Sequence, residues 1–242
     1  MPFREMRDAI EDEAQEFFRA TGGSGGGWFG ANLLKAFLQR IGPVLEAAQL
    51  YIVAGAYRHP MPGRDLTKKV TTASSSVVSG YAAELHLVSP PAAVALTVMA
   101  ELIEFYAAAS VRADAYARAG RDPGPSRVAE DLADVLGTRV PMARGEGRHV
   151  AQEALTVLVN WIGNQVVRDF FWHVVLVVGP IVEGVSSWRV IARVQAAPLP
   201  VRTDEERAGG PRGDIWGSLP SFERVLKHYR SGLELPRELG WS

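Results

Sequence analysis

Phe3, Met6, Ile10, Ala14, Phe17 and Phe18 recur three and four residues apart, with acids between them. This is the period of a helix with one buried face and predicts an amphipathic helix at the N-terminus. The pattern stops at TGGSGGGWFG, a glycine-rich stretch that reads as a linker. NLLKAFLQRI and VLEAAQLYIVAGAY follow on either side of Gly42-Pro43. Proline suits the first turn of a helix, so two short helices are predicted to meet there. RHPMPGRD is a loop by its prolines and glycine. LTKKVTTASSSVVSGYAAELHL reads as helical: its threonines, serines and valines lower helix propensity, while its small residues allow close packing. Pro90 and Pro91 then open AAVALTVMAELIEFYAAASVRADAYARAG, the longest predicted helix, which GRDPGPS ends.

Ser126 is predicted to cap RVAEDLADVLG, closing at Gly137. From about His149, the residues Leu155, Leu158, Val159, Ile162, Val166, Phe170 and Val174 keep helical spacing. Residues 174–194 admit two readings. Valine and isoleucine are dense there and SSWRVIARV partly alternates, as in paired strands. Helix is favoured, because Val174, Val178, Ile181, Val185, Trp188 and Ala192 hold one stripe at period 3.6. The result is a late apolar helical hairpin, packed through Gly179, Gly184 and Ser186, with Pro180 starting its second arm. Beyond Ala196, AAPLPVRTDEERAGGPRGD reads as an exposed arm, and SFERVLKHYRSG as a short helix capped by Ser221 and ended near Gly232. The expected fold is an all-α multi-helix bundle: an acidic amphipathic helix over 1–21, a linker over 22–28, a core domain over 29–195, and a C-terminal arm with a short helix over 196–242. The two extensions are expected to carry partner contacts and little of the folding energy.

Composition narrows the function classes. A chain of 242 residues, 47% hydrophobic and 22% charged, can bury a sizeable core. A net charge of −1 gives no field for nucleic acid, which is not expected as a partner. The absence of cysteine removes disulfides, thiolate metal sites and cysteine nucleophiles, and fits a cytoplasmic location. The first twenty residues hold six acids and no apolar run of the signal-peptide type. Arginine outnumbers lysine 22 to 4, a bias that reads as GC-rich coding rather than phosphate binding. Spanning a bilayer takes ~20 mostly apolar residues. The uncharged runs reach only 16 residues between Glu84 and Glu101 and 13 between Asp169 and Glu183, so no spanning segment is expected. Either the late hairpin packs inside a soluble bundle, or it, or the Val70–Ala109 region, lies on a membrane surface.

Motifs for chemistry are sparse. Gly25, Gly27 and Gly30 form a literal G-x-G-x-x-G, but a helix precedes it where dinucleotide binding needs a strand, so no cofactor is expected. His149 and Glu153 are spaced i,i+4, as are Asp169 and His173, and each pair can present two metal ligands on one helix face. Along one helix the pairs lie ~30 Å apart, so a site needs further ligands, with Glu101 and Glu104 as the candidates. Neither pair completes a ligand set, and no metal is expected. Ser74, Ser75 and Ser76 beside Lys68 and Lys69 lack an S-x-x-K pattern and read as packing or a phosphate contact. There is no Walker-type G-K-[ST] and no H-E-x-x-H. No catalytic residue and no small-molecule ligand is assigned, and an enzyme without a motif stays open.

Taken in order, the small-residue segment ASSSVVSGYAAELHL, the apolar AAVALTVMAELIEFYAAA, the break GRDPGP, the helix end DLADVLG and the late VGPIVEGVSSWRVIAR resemble the EcsC family over roughly residues 65–195. The resemblance implies an all-helical bacterial protein, membrane-associated and of unresolved activity, with members linked to an ABC exporter system. It transfers no catalytic residue. The chain departs from the pattern in having fewer glycines within its helices, Glu183 inside the late hairpin, and both extensions. The expected function is that of a non-enzymatic accessory protein, cytoplasmic and peripheral to the inner face of the membrane, with a protein partner or a second copy as the other contact. The alternative is a soluble helical scaffold or assembly subunit that binds through its terminal extensions.

Overall fold

Helix α1 (Phe3–Ala20) buries Met6, Ile10, Ala14, Phe17 and Phe18, the stripe its spacing predicts. Phe3 meets Tyr106 edge-on, with ring centroids 5.7 Å apart. The structure, a computed structural model, describes residues 3–21, 31–60, 89–136, 160, 163–164, 179–201, 219–232 and 239–240. Helices α2 (Ala31–Arg40) and α3 (Gly42–Arg58) meet at Ile41, whose carbonyl accepts from the Val44 and Leu45 N–H groups, each at 2.9 Å. Pro43 falls in the first turn of α3, where its missing N–H leaves no helical bond unmade. Thirteen of the 17 residues of α3 are buried, so it runs through the interior rather than along the surface.

Helix α4 (Pro90–Arg118) starts on its two prolines, as expected. It ends where Gly120, at φ 61°, turns the chain. The Gly120 N–H donates to the Ala117 carbonyl and the Arg121 N–H to that of Tyr116, both at 3.0 Å, the paired bonds of a left-handed glycine cap. Helix α5 (Gly124–Val135) opens two residues before the predicted Ser126. Pro125 takes its first turn, and the Tyr57 hydroxyl of α3 accepts from the Gly124 N–H at 3.1 Å, so the capping group comes from another helix. Helix α6 (Gly179–Ala196) decides the helix-or-strand question for helix over residues 179–194, while residues 174–178 and the first arm of the expected hairpin lie outside the described residues. Helix α7 (Phe222–Arg230) has the predicted cap, the Ser221 hydroxyl accepting from the Arg224 N–H at 3.3 Å, and Gly232 follows its end at φ 63°.

Every regular element among the described residues is a helix, and no strand occurs among them, so the fold is the expected all-α bundle. Helix α4 is its axis, packed on α1, α3, α5 and α6, while α3 packs on α1, α2, α4, α5 and α7. Among the described residues α1 and α6 both lie on α4 without touching each other.

The terminal helices differ from the expectation that they hold little of the folding energy. Met6, Ile10 and Ala14 of α1 are 0% exposed and Phe222 and Val225 of α7 at most 1%, all within the same hydrophobic cluster as α3 and α4. The physical reason is that each terminal helix has one apolar face, which finds its cover on the interior helices. Polar contacts lock them in place. Glu5 of α1 accepts from the Phe222 N–H at 2.9 Å, Glu13 accepts from Arg40 at 2.9 Å and from Arg230 at 2.7 Å, and the Tyr229 hydroxyl donates to Glu46. Burial raises the Glu46 carboxyl above its ordinary range.

One described helix, Pro91–Arg118, is long and apolar enough to cross a membrane, with a mean hydropathy of 1.6 in its most apolar window, and 78% of that window is buried inside the protein. Counting uncharged runs passes over it because Glu101 and Glu104 divide it. The predicted linker 22–28, the helix over 66–87, most of the run from His149 to Val174, the packing of Gly179, Gly184 and Ser186, and the arm over 202–218 lie outside the described residues.

Candidate functional site

An arginine set among alanines is the first unusual feature of α4: Arg112 follows Ala108 and Ala109 and precedes Tyr116 by one turn. Helical spacing turns it toward the core, where it is 1% exposed. A buried guanidinium is tolerated only with an opposite charge and with acceptors for its remaining donors. Helix α5 supplies the charge through Asp131, which stands one turn from Val128 and beside Leu132 on the buried face and is itself 7% exposed. The guanidinium forks onto Asp131, its Nε donating to Oδ2 and its Nη2 to Oδ1, the second bond being 2.9 Å. Two further donors point to the chain leaving α6, to the carbonyls of Ala197 at 2.7 Å and Pro198 at 2.8 Å.

Tyr116 completes the cluster. Its hydroxyl donates to Asp131 Oδ2 at 2.9 Å, and the Arg121 guanidinium lies 5.0 Å over its ring while donating to the Pro200 carbonyl at 2.6 Å. Burial raises the Tyr116 hydroxyl well above its ordinary value of 10.0, and the neighbouring Asp131 charge and hydrogen bond add to the rise. The phenol therefore keeps its proton and acts as a donor. Because the clamp lies at the C-terminal end of α6, where the helix dipole is negative, a cation placed there is favourable twice over. This arrangement is a clamp. Four of the five guanidinium N–H bonds of Arg112 are engaged, which fixes the end of α6 to α4 and α5.

Burial along α6 gives its rotation. Ile191 and Val194 are buried at 0% and 1%, whereas Trp188 is 50% exposed. The expected stripe through Val174, Val178, Ile181, Val185, Trp188 and Ala192 is corrected at its described end: at 100° per residue, the buried face lies roughly 90° from Trp188. Arg189 and Arg193 are exposed on the outer side.

The candidate metal ligands His149, Glu153, Asp169 and His173 lie outside the described residues. Glu101 and Glu104, named as possible completing ligands, are buried on α4 at 2% and 5% exposure. No group of three or more His, Cys, Asp or Glu able to hold a metal occurs among the described residues. An open concavity of about 490 Å³ on the outer side of α7 is lined by Ser221, Glu223, Arg224, Lys227 and His228. Sequence reasoning missed Arg112, Tyr116, Arg121 and Asp131. The available signal was a charge inside an apolar stripe on each of two helices. No family model matches the chain, and no curated protein or solved structure matches it.

Proposed function

We propose that this chain is a non-enzymatic, membrane-associated accessory protein of the kind its EcsC resemblance implies, attached to the cytoplasmic face of a membrane peripherally rather than by a spanning helix. One observation carries the peripheral form: the only described helix apolar enough to span is the axis of the bundle, and it holds Glu101, Glu104 and Arg112 in buried positions. Moving such charges to the centre of a bilayer costs roughly 2.5–3.5 kcal/mol each. It also requires α1, α3, α5 and α6 to leave α4. The polar groups of the clamp are engaged with one another, which supports a structural role for them.

Flotation of the full chain with lipid vesicles tests the reading. The protein is expected to float with the vesicles and to be released by ~1 M salt, at which screening leaves a Debye length of ~3 Å. Retention after that wash points to an integral protein. Failure to float at any salt favours the second reading, a soluble helical scaffold or assembly subunit, which draws its support from the same burial of α4.

A further inference from the structure

Resting on the peripheral reading, we propose that the face of α6 bearing Trp188, Arg189 and Arg193 is the surface that meets the membrane, with the anionic phosphates of phospholipid headgroups as its partner. With Ile191 and Val194 turned into the core, these three side chains fall within an arc of about 140° on the outer side of the helix. The exposed large hydrophobic residues among those described are Leu33, Trp188 and Val201, and only Trp188 is aromatic. A half-exposed indole suits the boundary between headgroups and acyl chains.

Charge is the second observation. Six described arginines outside the clamp pair with carboxylates, Arg4 and Arg7 with Asp8, Arg40 with Glu13 and Glu16, Arg118 with Asp114, Arg127 with Glu130 and Arg230 with Glu13, while Arg19, which pairs with no described carboxylate, stands on the acidic α1. Arg189 and Arg193 form no ion pair with a described carboxylate. They stand four residues apart, in line on the helix, within residues 185–201, which contain no acid. The six acids of α1 lie on a helix that touches α4 but not α6. A chain of net charge −1 thus carries a basic face on a helix that does not touch its most acidic one, and an anionic surface draws it in by that face. The Arg112 clamp holds the adjoining carbonyls of Ala197 and Pro198, so the face is presented by a helix whose end is anchored to the bundle.

The test is co-sedimentation of the full chain with vesicles of phosphatidylcholine alone and of phosphatidylcholine with phosphatidylglycerol, at low and high salt. The chain is expected to bind the anionic vesicles in preference, and Arg189→Gln with Arg193→Gln to weaken that binding about 30-fold at low salt. Trp188→Ala is expected to weaken binding as well. The variant Arg224→Gln with Lys227→Gln, on the outer side of α7, is expected to bind as the parent chain does, and urea unfolding checks that every variant is folded. If the parent binds but the α6 double variant binds equally well, or if the α7 variant is the one that loses binding, the proposed face is wrong. If the parent binds neither vesicle type, the peripheral reading itself fails.

Discussion

Replacing Asp131 with alanine removes one charge from a pair whose side chains are 1% and 6% exposed. Arg112 keeps its bonds to the Ala197 and Pro198 carbonyls, but two of its donors and the Tyr116 hydroxyl lose their acceptor. Removing one partner of a buried pair costs about 3–5 kcal/mol, because the charge left behind stays desolvated. The stranded hydroxyl adds roughly 1–3 kcal/mol where no water reaches it. The two terms share one cavity and do not add fully, and water entering that cavity offsets part of both, so we expect a loss of about 4 kcal/mol. For a chain of this size each kcal/mol lowers Tm by roughly 2–4 °C, which gives a drop of about 8–16 °C. Urea unfolding followed by far-UV circular dichroism measures the loss, with an unchanged slope marking a true change in stability. The double variant Arg112→Met, Asp131→Leu, which leaves no buried charge, should cost less than the two single variants summed. A loss below about 1 kcal/mol for Asp131→Ala, the size of an exposed ion pair, would show that the clamp is wet. Additivity in the double variant would refute the coupling directly.

Two further outcomes follow from the same packing. A chain cut to residues 29–195 loses Met6, Ile10, Phe17, Phe18, Phe222, Val225 and Leu226 from the core; at about 1.5–3 kcal/mol each, the gross loss matches the whole stability of a typical domain, so calorimetry should find no cooperative transition. The folded state holds a Tyr116 proton that the unfolded chain gives up near its ordinary value of 10.0; stability is therefore unaffected below that pH and falls as the pH rises beyond it, and Tyr116→Phe should reduce the slope of that fall in urea titrations.

The parts of this fold that could be read from the sequence are those in which a residue's environment is set within a few turns of its own helix. Helix α1 alternates apolar and acidic positions, so its buried stripe was legible residue by residue. Helix α3 is apolar on all sides, so its existence could be read but its neighbours could not. Where the reading slipped, a group distant in the chain decided the outcome. The start of α5 depends on a hydroxyl 67 residues away, and the end of α6 is held by a clamp whose donor lies 85 residues before its acceptor. The clamp itself was half legible. An arginine between Ala109 and Tyr116, and an aspartate between Val128 and Leu132, each break an apolar stripe. A lone charge buried on such a stripe is costly enough that it must find an opposite partner or turn the helix to solvent. That condition identifies the two members of the pair without saying that they belong to each other, since pairing depends on how α4 and α5 cross. Glu101 and Glu104 carry the same signature on the same helix and are buried as Arg112 is. A membrane-spanning reading of α4 therefore has to accommodate all three buried ionisable side chains at once.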